Sequence, residues 1–244
     1  MNPNEEFQEE RRKAILDMGK DKELRKMSLD WILKSNVHKY GYNFTWMGRP
    51  VIQFPNDMFI IQELIWKVRP DLIIETGIAH GGSIIFSASM LELIGGDGKV
   101  VGIDVDIRKH NREEIEKHPM MKRIVMLEGS STDEKIVNQV YELAKDKKSI
   151  MVFLDSHHSH KHVLGEMNAY GKLVSINSYM VVFDTCIELF PKGYCSDRPW
   201  DVGDNPMTAM YEYLRNNDNF IIDELVNSKA IITAAPKGYL KRVK

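Results

Sequence analysis

The sequence predicts an α/β fold: a doubly wound, mostly parallel sheet with an antiparallel edge strand and an N-terminal helical extension. From residue 71 onward, short apolar runs rich in β-branched residues alternate with helical stretches, which is typical of right-handed βαβ units. Runs such as MVFL at 151–154 are apolar throughout, as expected for strands buried on both faces. With 244 residues, 43% of them hydrophobic, the chain can bury one sizeable core.

The predicted elements follow in order along the chain. Apolar runs predict five parallel strands, at 71–75, 99–104, 123–127, 149–154 and 178–183. The helices between them are predicted at 82–94, 109–117, 134–145 and 159–173. The first has an apolar stripe of Ile85, Ala88 and Leu91 and ends at a Gly-rich turn. After a long loop at 186–205, a helix at 206–216 precedes strands at 219–222 and 230–233, which are close enough to form an antiparallel edge pair.

The N-terminal part of the chain has a different pattern. Helical stretches near 5–18 and 24–33 precede an aromatic segment at 40–54 and a helix at 58–68. We therefore divide the chain into a helical and aromatic extension, residues 1–57, and a ligand-binding domain, residues 58–244. The N-terminal helices indicate a homo-oligomer.

The composition argues against several classes of protein. The 33 basic and 35 acidic residues give a net charge of −2, whereas proteins that bind duplex nucleic acid usually have a basic excess. The apolar runs are much shorter than the roughly 20 residues of a membrane span. The N-terminus lacks the features of a secretory signal, and the two cysteines, Cys186 and Cys195, fit no zinc pattern. We expect a cytoplasmic protein.

The ends of the first two predicted strands indicate a cofactor site, because doubly wound sheets bind ligands there. The loop at 76–83, TGIAHGGS, opens into a helix N-terminus, and its glycines let a ligand approach the backbone. It matches neither the NAD-binding nor the P-loop pattern. Asp104 ends the second strand, where it can accept hydrogen bonds from a ribose. The glycine loop and Asp104 together indicate an adenosine-type cofactor, and S-adenosylmethionine fits better than NAD. Alternatively, the loop is only a tight connection and Asp104 only caps a helix.

Two further carboxylates follow the fourth and fifth strands. Asp155 and Asp184 stand at these strand ends, where they can share a Mg²⁺ ion, which prefers oxygen ligands. Either aspartate can instead cap a helix. Four of the eight histidines lie at 157–162, and such a cluster alone is also compatible with Zn²⁺ or Fe²⁺.

The sequence resembles the cephalosporin hydroxylase family, which includes rhamnosyl O-methyltransferases, over nearly the whole chain from about residue 45. The matching segments are WMGRP at 46–50, QFPND at 53–57, PDLIIETG at 70–77, AHGGS at 79–83, DVDIR at 104–108, EGSS at 128–131, LDS at 154–156, DNP at 204–206 and PKGYLKR at 236–242. The resemblance implies the Rossmann-like fold of class I S-adenosylmethionine-dependent methyltransferases, with the cofactor in domain 58–244.

The resemblance also implies roles for single residues. Glu75, Gly77 and Gly81 are expected to hold the methionine end of the cofactor, and Asp104 the ribose. The full set of predicted cofactor-binding residues is Glu75, Gly77, His80, Gly81, Ser83, Asp104 and Ser130.

The implied Mg²⁺ site departs from the family pattern. The family often has Glu-Asp-Thr where this chain has Phe183, Asp184 and Thr185, so one carboxylate is lost. By comparison with catechol-type O-methyltransferases, Thr185 stands where an Asn ligand would lie and His158 where a Lys base would lie. We therefore predict Asp155, Asp184 and Thr185 as metal ligands, and His158 and Asp155 as catalytic residues.

These observations predict an S-adenosylmethionine-dependent, Mg²⁺-assisted O-methyltransferase acting on a hydroxyl of a sugar or glycosylated small molecule. The metal would lower the pKa of the hydroxyl and a base would remove its proton. Two alternatives are an Fe²⁺-dependent hydroxylase, using Asp155 with His157 or His160, and a non-catalytic cofactor-binding subunit of a biosynthetic complex. The acceptor wall is expected from the loop at 186–205 and from N-terminal aromatic side chains, which can equally be core contacts. These side chains are Tyr40, Tyr42, Phe44 and Trp46.

Overall fold

A computed structural model describes residues 2–244 as a central sheet covered by helices on both faces. The strands are β1 (Phe44–Trp46), β2 (Arg49–Val51), β3 (Leu72–Thr76), β4 (Lys99–Asp104), β5 (Ile124–Glu128), β6 (Ile150–Leu154), β7 (Tyr179–Val182), β8 (Phe220–Ile222) and β9 (Tyr239–Arg242). The α-helices are α1 (Pro3–Lys20), α2 (Lys22–Asn36), α3 (Pro55–Val68), α4 (Gly82–Ile94), α5 (Lys109–Glu116), α6 (Glu134–Ala144), α7 (His160–Tyr170), α8 (Pro206–Arg215) and α9 (Glu224–Lys229).

The central sheet has the order β5-β4-β3-β6-β7-β9-β8. The chain moves outward from β3 to β5, returns to β6 beside β3, continues through β7 to the edge strand β8, and ends with β9 between β7 and β8. Strands β3 to β7 pair in parallel, whereas β9 is antiparallel to both of its neighbours. The order reverses between β3 and β6, where Thr76 lies opposite Leu154. This is where doubly wound sheets bind ligands, and the predicted fold class is confirmed.

Burial on both faces explains the uniformly apolar strands. Every residue of β3, β6 and β7 is buried. Neighbouring residues of β3 enter different cores, because successive side chains of a strand point to opposite faces. Ile73 joins the cluster that contains Ile65 of α3, and Ile74 joins the cluster that contains Met167 of α7.

The predicted strand at 230–233 is wrong, because these residues follow a short helix and form no strand. The side chain of Asp223 caps α9 by accepting hydrogen bonds from the backbone of Leu225 and Val226, so the chain leaves β8 as a helix. The second late strand is β9, which pairs antiparallel with β8 and also with β7. At Gly238 an added Cβ would lie 2.1 Å from the carbonyl oxygen of Val182, so glycine permits this close approach.

The N-terminal segment packs against the sheet domain at several points. Helix α1 contacts α9, and the β1–β2 hairpin contacts α4. The indole of Trp46 packs edge-on against Phe86 and donates a hydrogen bond to Ser89 at 3.0 Å. Tyr40 contacts the ring of Phe44 at 5.0 Å. Trp46 and Tyr40 therefore make packing contacts within the chain. In the part of the chain described, none of the helices is long and apolar enough to cross a membrane.

Candidate functional site

The loop after β3 crosses directly over the first residue after β6. Gly77 has φ +92°, and a Cβ added there would lie 2.0 Å from the carbonyl oxygen of Asp155. The backbone N–H of Asp155 donates to the carbonyl of Thr76 at 3.0 Å. Only glycine fits such a position. The two strand ends that sequence reasoning singled out are therefore in direct contact at the reversal of strand order.

Asp104 braces the glycine loop. Its Oδ2 accepts hydrogen bonds from the backbone N–H groups of Ile78 at 2.9 Å and Ala79 at 3.1 Å, and its Oδ1 accepts one from Asp106 at 3.1 Å. A carboxylate has about four acceptor positions, so capacity remains for a ribose hydroxyl. The structure adds a loop-ordering role that the sequence did not indicate.

Arg49 and Asn111 hold the same loop from outside the sheet. The Arg49 guanidinium donates to the carbonyl oxygen of His80 at 3.0 and 2.8 Å and to Asn111 Oδ1 at 3.1 Å. Asn111 Nδ2 donates to the carbonyl of Ala79 at 3.0 Å. Sequence reasoning missed both roles, although Arg49 lies in a segment that carried the family resemblance. His80 takes part mainly through its backbone, with its ring Nδ1 3.3 Å from Asn111 Oδ1.

The glycine requirement at Gly81 comes from packing. Its φ is +86°, and an added Cβ would lie 2.5 Å from Cδ1 of Ile115 on α5. A branched side chain at this position would therefore clash with the side chain of Ile115. Gly81 caps α4, so it sets the direction of the helix N-terminus facing the site.

Glu75 is a buried acid next to this loop. Glu75 is the fourth residue of β3, and it is 3% exposed. Burial raises the pKa of Glu75 to about 7, and a hydrogen bond with Ser83 partly offsets the rise. The two predicted cofactor residues Glu75 and Ser83 therefore contact each other across the start of α4.

Asp155, His158 and Asp184 form a compact cluster beyond β6 and β7. One ligand atom from each lies within 4.8 Å of the others, and His158 Nε2 is 3.4 Å from Asp184 Oδ2. Burial and the neighbouring Asp184 carboxylate raise the pKa of Asp155 well above its ordinary value. Two carboxylates and an imidazole are a donor set that fits a divalent cation.

Asp184 holds an uncommon backbone conformation, with φ +52°, of the kind often found at functional sites. The residues on either side of it are in the core. Phe183, which replaces the acidic residue of the family pattern, is 5% exposed and belongs to the apolar cluster. The hydroxyl of Thr185 donates to the carbonyl of Pro236 at 2.8 Å, and Thr185 as a third ligand stays a prediction.

Gln53 is a site residue that sequence reasoning missed. Its Nε2 donates to Asp155 Oδ2 at 2.8 Å, although the two residues are far apart in the chain. The residue is 7% exposed, and its Oε1 is buried without a hydrogen-bond partner. It lies just before α3, in the QFPND segment of the family resemblance.

The other histidines of 157–162 have different partners. The Nδ1 and Nε2 atoms of His160 contact Thr208 at 2.8 Å and Glu212 at 3.1 Å, which connects α7 to α8. His162 contacts Ser131 at 3.0 Å. The ring of His157 lies 5.1 Å from that of Trp200. Within residues 2–244, only His158 joins the two aspartates in a cluster of potential metal ligands.

A buried glutamate connects the loops after β5 and β6. Glu166 Oε1 accepts hydrogen bonds from Ser131 at 2.5 Å and Ser156 at 2.6 Å. Ser130, the predicted cofactor residue in this region, is half-buried, and its hydroxyl lies 3.1 Å from that of Thr132. Glu166 therefore holds the two loops at a fixed distance from each other.

A large surface cavity of about 920 Å³ lies between β5 and α6 and contains none of the predicted site residues. Asp155, Asp184 and the glycine loop lie instead at the ends of β6, β7 and β3.

The comparisons with known protein sequences agree with one another. A family described as "Rhamnosyl O-methyltransferase/CmcI" matches residues 38–243. The rhamnosyl O-methyltransferase of Mycobacterium tuberculosis is 32% identical over 218 residues, covering 84% of this chain and 83% of the relative. That of Mycobacterium leprae is 32% identical over 166 residues, covering 65% of this chain and 70% of the relative.

Solved structures of low sequence identity share the fold. CmcI with Mg and S-adenosylmethionine aligns with a TM-score of 0.59 at 21% identity, covering 83% of this chain and 78% of CmcI. The O-methyltransferase TomG of Streptomyces achromogenes, in complex with S-adenosylmethionine, aligns with a TM-score of 0.56 at 16% identity, covering 89% and 90%. An O-methyltransferase from Bacillus cereus aligns with a TM-score of 0.53 at 15% identity, covering 89% and 91%.

Proposed function

The chain belongs to the rhamnosyl O-methyltransferase/CmcI family of S-adenosylmethionine-dependent O-methyltransferases, and from this premise we propose that it methylates a sugar hydroxyl with the help of Mg²⁺. The observation that carries the proposal is the cluster of Asp155, His158 and Asp184 beside the glycine loop. A sugar hydroxyl is a weak acid, so its methylation benefits from both a cation and a base. The names of the relatives support a sugar acceptor.

The cofactor is proposed to lie along the ends of β3 and β4. Its methionine end would occupy the region of Glu75, Gly77 and Ser83, and its ribose would bond Asp104. The contact between Glu75 and Ser83 and the bracing of the loop by Asp104 support a preformed site. Ser130, on the loop after β5, would border the adenosine. A preformed loop lowers the ordering cost of binding.

Asp155 and Asp184 are proposed as the cation ligands, and His158 as the base. A bound Mg²⁺ would lower the pKa of an acceptor hydroxyl and fix its orientation. Because Mg²⁺ prefers oxygen ligands, we assign the two carboxylates to the cation and Nε2 of His158 to the proton. An imidazole is well suited to accept a proton near neutral pH. His158 would accept the hydroxyl proton as the methyl group is transferred from the sulfonium sulfur of the cofactor to the acceptor oxygen.

Trp200 is proposed as part of the acceptor wall. Its ring lies edge-to-face with the ring of His158 at 4.9 Å and with that of His157 at 5.1 Å, so an aromatic surface adjoins the proposed base. Trp200 belongs to the loop at 186–205 that the sequence indicated for this purpose. This loop is anchored by Asn205, whose side chain caps α8 and donates to the carbonyl of Asp201 at 3.0 Å.

Turnover tests the proposal. The purified protein is incubated with S-adenosylmethionine, Mg²⁺ and either a rhamnoside or the matching aglycone, and methylated product and S-adenosylhomocysteine are quantified by mass spectrometry. We expect methylation of the glycoside only, its loss on removal of Mg²⁺ by EDTA, and its loss in Asp184→Asn. The exposed Asp146 gives a matched control, Asp146→Asn, that should keep full activity.

Two results would contradict the proposal. Cofactor binding without methylation of any hydroxylated acceptor would favour the non-catalytic subunit. Full activity in EDTA, or in Asp184→Asn, would leave the methyltransferase intact but remove Mg²⁺ and its proposed ligand from the reaction.

A further inference from the structure

We propose that Asp57 is a positioning residue for the cation site: it fixes the segment 233–236, and this segment holds the turn that presents Asp184. The inference rests on the proposed function, because it concerns the Mg²⁺ site assigned to Asp155 and Asp184. It deepens that function by naming a residue that acts on the cation through one of its ligands and does not touch it.

Asp57 is a fully buried carboxylate in the first turn of α3, with 0% of the residue exposed. Its Oδ1 accepts hydrogen bonds from the hydroxyls of Thr233 at 2.5 Å and Tyr239 at 2.7 Å. Its Oδ2 accepts one from the backbone N–H of Ala234 at 2.8 Å. A buried carboxylate is costly unless it is hydrogen-bonded, so these bonds strongly favour one arrangement of α3 and the segment 233–236.

The segment 233–236 is neither helix nor strand. The hydroxyl of Thr233, which donates to Asp57, also accepts a hydrogen bond from the backbone N–H of Ala235 at 2.9 Å. The carboxylate of Asp57 and this hydroxyl therefore supply bonds that a regular element would make with its own backbone. The path of the segment depends on both groups.

The same segment bonds the two residues that follow Asp184. The backbone N–H of Cys186 donates to the carbonyl of Ala234 at 3.2 Å, and the hydroxyl of Thr185 donates to the carbonyl of Pro236 at 2.8 Å. Asp184 itself has φ +52°, a conformation that persists where the surrounding structure enforces it. A shift of this segment would therefore move the backbone that carries the Asp184 carboxylate.

The cation site requires such support, because its two carboxylates have the same charge. One ligand atom of each lies within 4.8 Å of the other, and like charges at this separation repel each other. Gln53, just before α3, donates to Asp155 at 2.8 Å, and Asp57 holds the segment that supports Asp184. The start of α3 thus supports both proposed ligands. Outer partners of metal ligands typically contribute about 10- to 100-fold to metal affinity.

Two variants break this support in different ways. Asp57→Asn keeps one acceptor oxygen, so it cannot keep the hydrogen bonds of both carboxylate oxygens. Thr233→Val removes the hydroxyl and leaves the charge of Asp57 in place. A loss that both variants share therefore reports the lost support, since only one of them changes a charge.

Each ligand is titrated alone: Mn²⁺ as a probe of the cation site, with the free ion measured by electron paramagnetic resonance, and S-adenosylhomocysteine by calorimetry. In both Asp57→Asn and Thr233→Val we expect Mn²⁺ affinity to fall about tenfold and affinity for S-adenosylhomocysteine to stay as in the wild type. The control Ser178→Ala removes a buried hydrogen bond of 2.7 Å to the carbonyl of Ile150, at the other end of β7. It should leave both affinities unchanged.

Unchanged Mn²⁺ affinity in both variants would overturn the proposal. A loss in only one of them would also overturn it, because it would reflect the charge of Asp57 or Thr233 alone, and so would an equal loss for both ligands, which would indicate a general structural defect. If Asp57→Asn does not fold, Thr233→Val decides by the same criteria. A wild type that binds Mn²⁺ no better than Asp184→Asn would instead refute the proposed cation site.

Discussion

Replacing Glu75 by Gln should change how the stability of the ligand-free protein depends on pH. Burial raises the pKa of Glu75 from 4.5 to about 7, so the folded state holds this proton more tightly than the unfolded state. Stability from this group is therefore fully present below about pH 4.5 and is lost as the pH rises to about 7. Glu75→Gln removes the titration and keeps a polar group of the same shape beside Ser83.

The size of the effect follows from the shift in pKa. The difference between about 7 and 4.5 is about 2.5 units, and each unit corresponds to 1.36 kcal/mol. The wild type should therefore lose about 3 kcal/mol of unfolding free energy through Glu75 over this pH range. Burial also raises the pKa of Asp57 to about 6, so deprotonation of Asp57 likewise lowers the unfolding free energy as the pH rises. The Glu75→Gln variant will therefore retain part of the pH dependence.

Guanidinium denaturation at pH 5, 6, 7 and 8, without cofactor or metal, measures this difference. Glu75→Gln should gain stability relative to the wild type as the pH rises, by about 2–3 kcal/mol between pH 5 and pH 8. The control Glu142→Gln, at an exposed position on α6, should follow the wild-type profile. Parallel profiles for wild type and Glu75→Gln would refute the reasoning from burial.

Three further predictions concern the loop and the base. Gly77→Ala should unfold at much lower denaturant than Gly95→Ala, because both glycines have φ near +90° but only at Gly77 would the added Cβ meet backbone atoms. The backbone strain of an alanine at Gly95 alone is about 1–3 kcal/mol, and similar midpoints for the two variants would contradict the close approach at Gly77. Asp104→Asn should weaken calorimetric binding of S-adenosylhomocysteine, and unchanged affinity would exclude Asp104 from the cofactor site. His158→Ala should lower kcat by about 10²–10⁴-fold and leave Mg²⁺ affinity unchanged, whereas lost Mg²⁺ binding would make His158 a ligand.

Local sequence patterns predicted the helices and strands of the sheet domain well, because each of these segments has the residue pattern typical of the element that it forms. The helix at 82–94 and the strand at 99–104 have the predicted bounds, since a Gly-rich loop begins the helix and a Gly-rich turn separates it from an apolar strand. The apolar run at 230–233 was misread as a strand, because it is equally suited to a buried irregular segment. Thr233 there donates to the buried carboxylate of Asp57, a contact between distant parts of the chain that no local pattern reveals.

In the candidate site, too, local patterns indicated some features but not the contacts between distant parts of the chain. The proximity of Asp155 and Asp184 was predictable, because each directly follows an apolar strand and the two strands are parallel neighbours. The contact of Gln53 with Asp155 and that of Arg49 with His80 join residues far apart in the chain. Such contacts depend on how the β1–β2 hairpin and the start of α3 pack on the sheet. A single sequence does not show which of its distant residues come into contact. The family motifs marked these segments without giving their roles.

A crystal structure of the protein with S-adenosylhomocysteine and Mn²⁺ tests the central claim most directly. Mn²⁺ shares the preference of Mg²⁺ for octahedral oxygen coordination, and its anomalous signal locates it without ambiguity. We predict one Mn²⁺ bonded to carboxylate oxygens of both Asp155 and Asp184, beside a cofactor product whose methionine end lies at Glu75 and Gly77. An ion held by histidines alone, or a cofactor product bound away from the reversal between β3 and β6, would contradict the account.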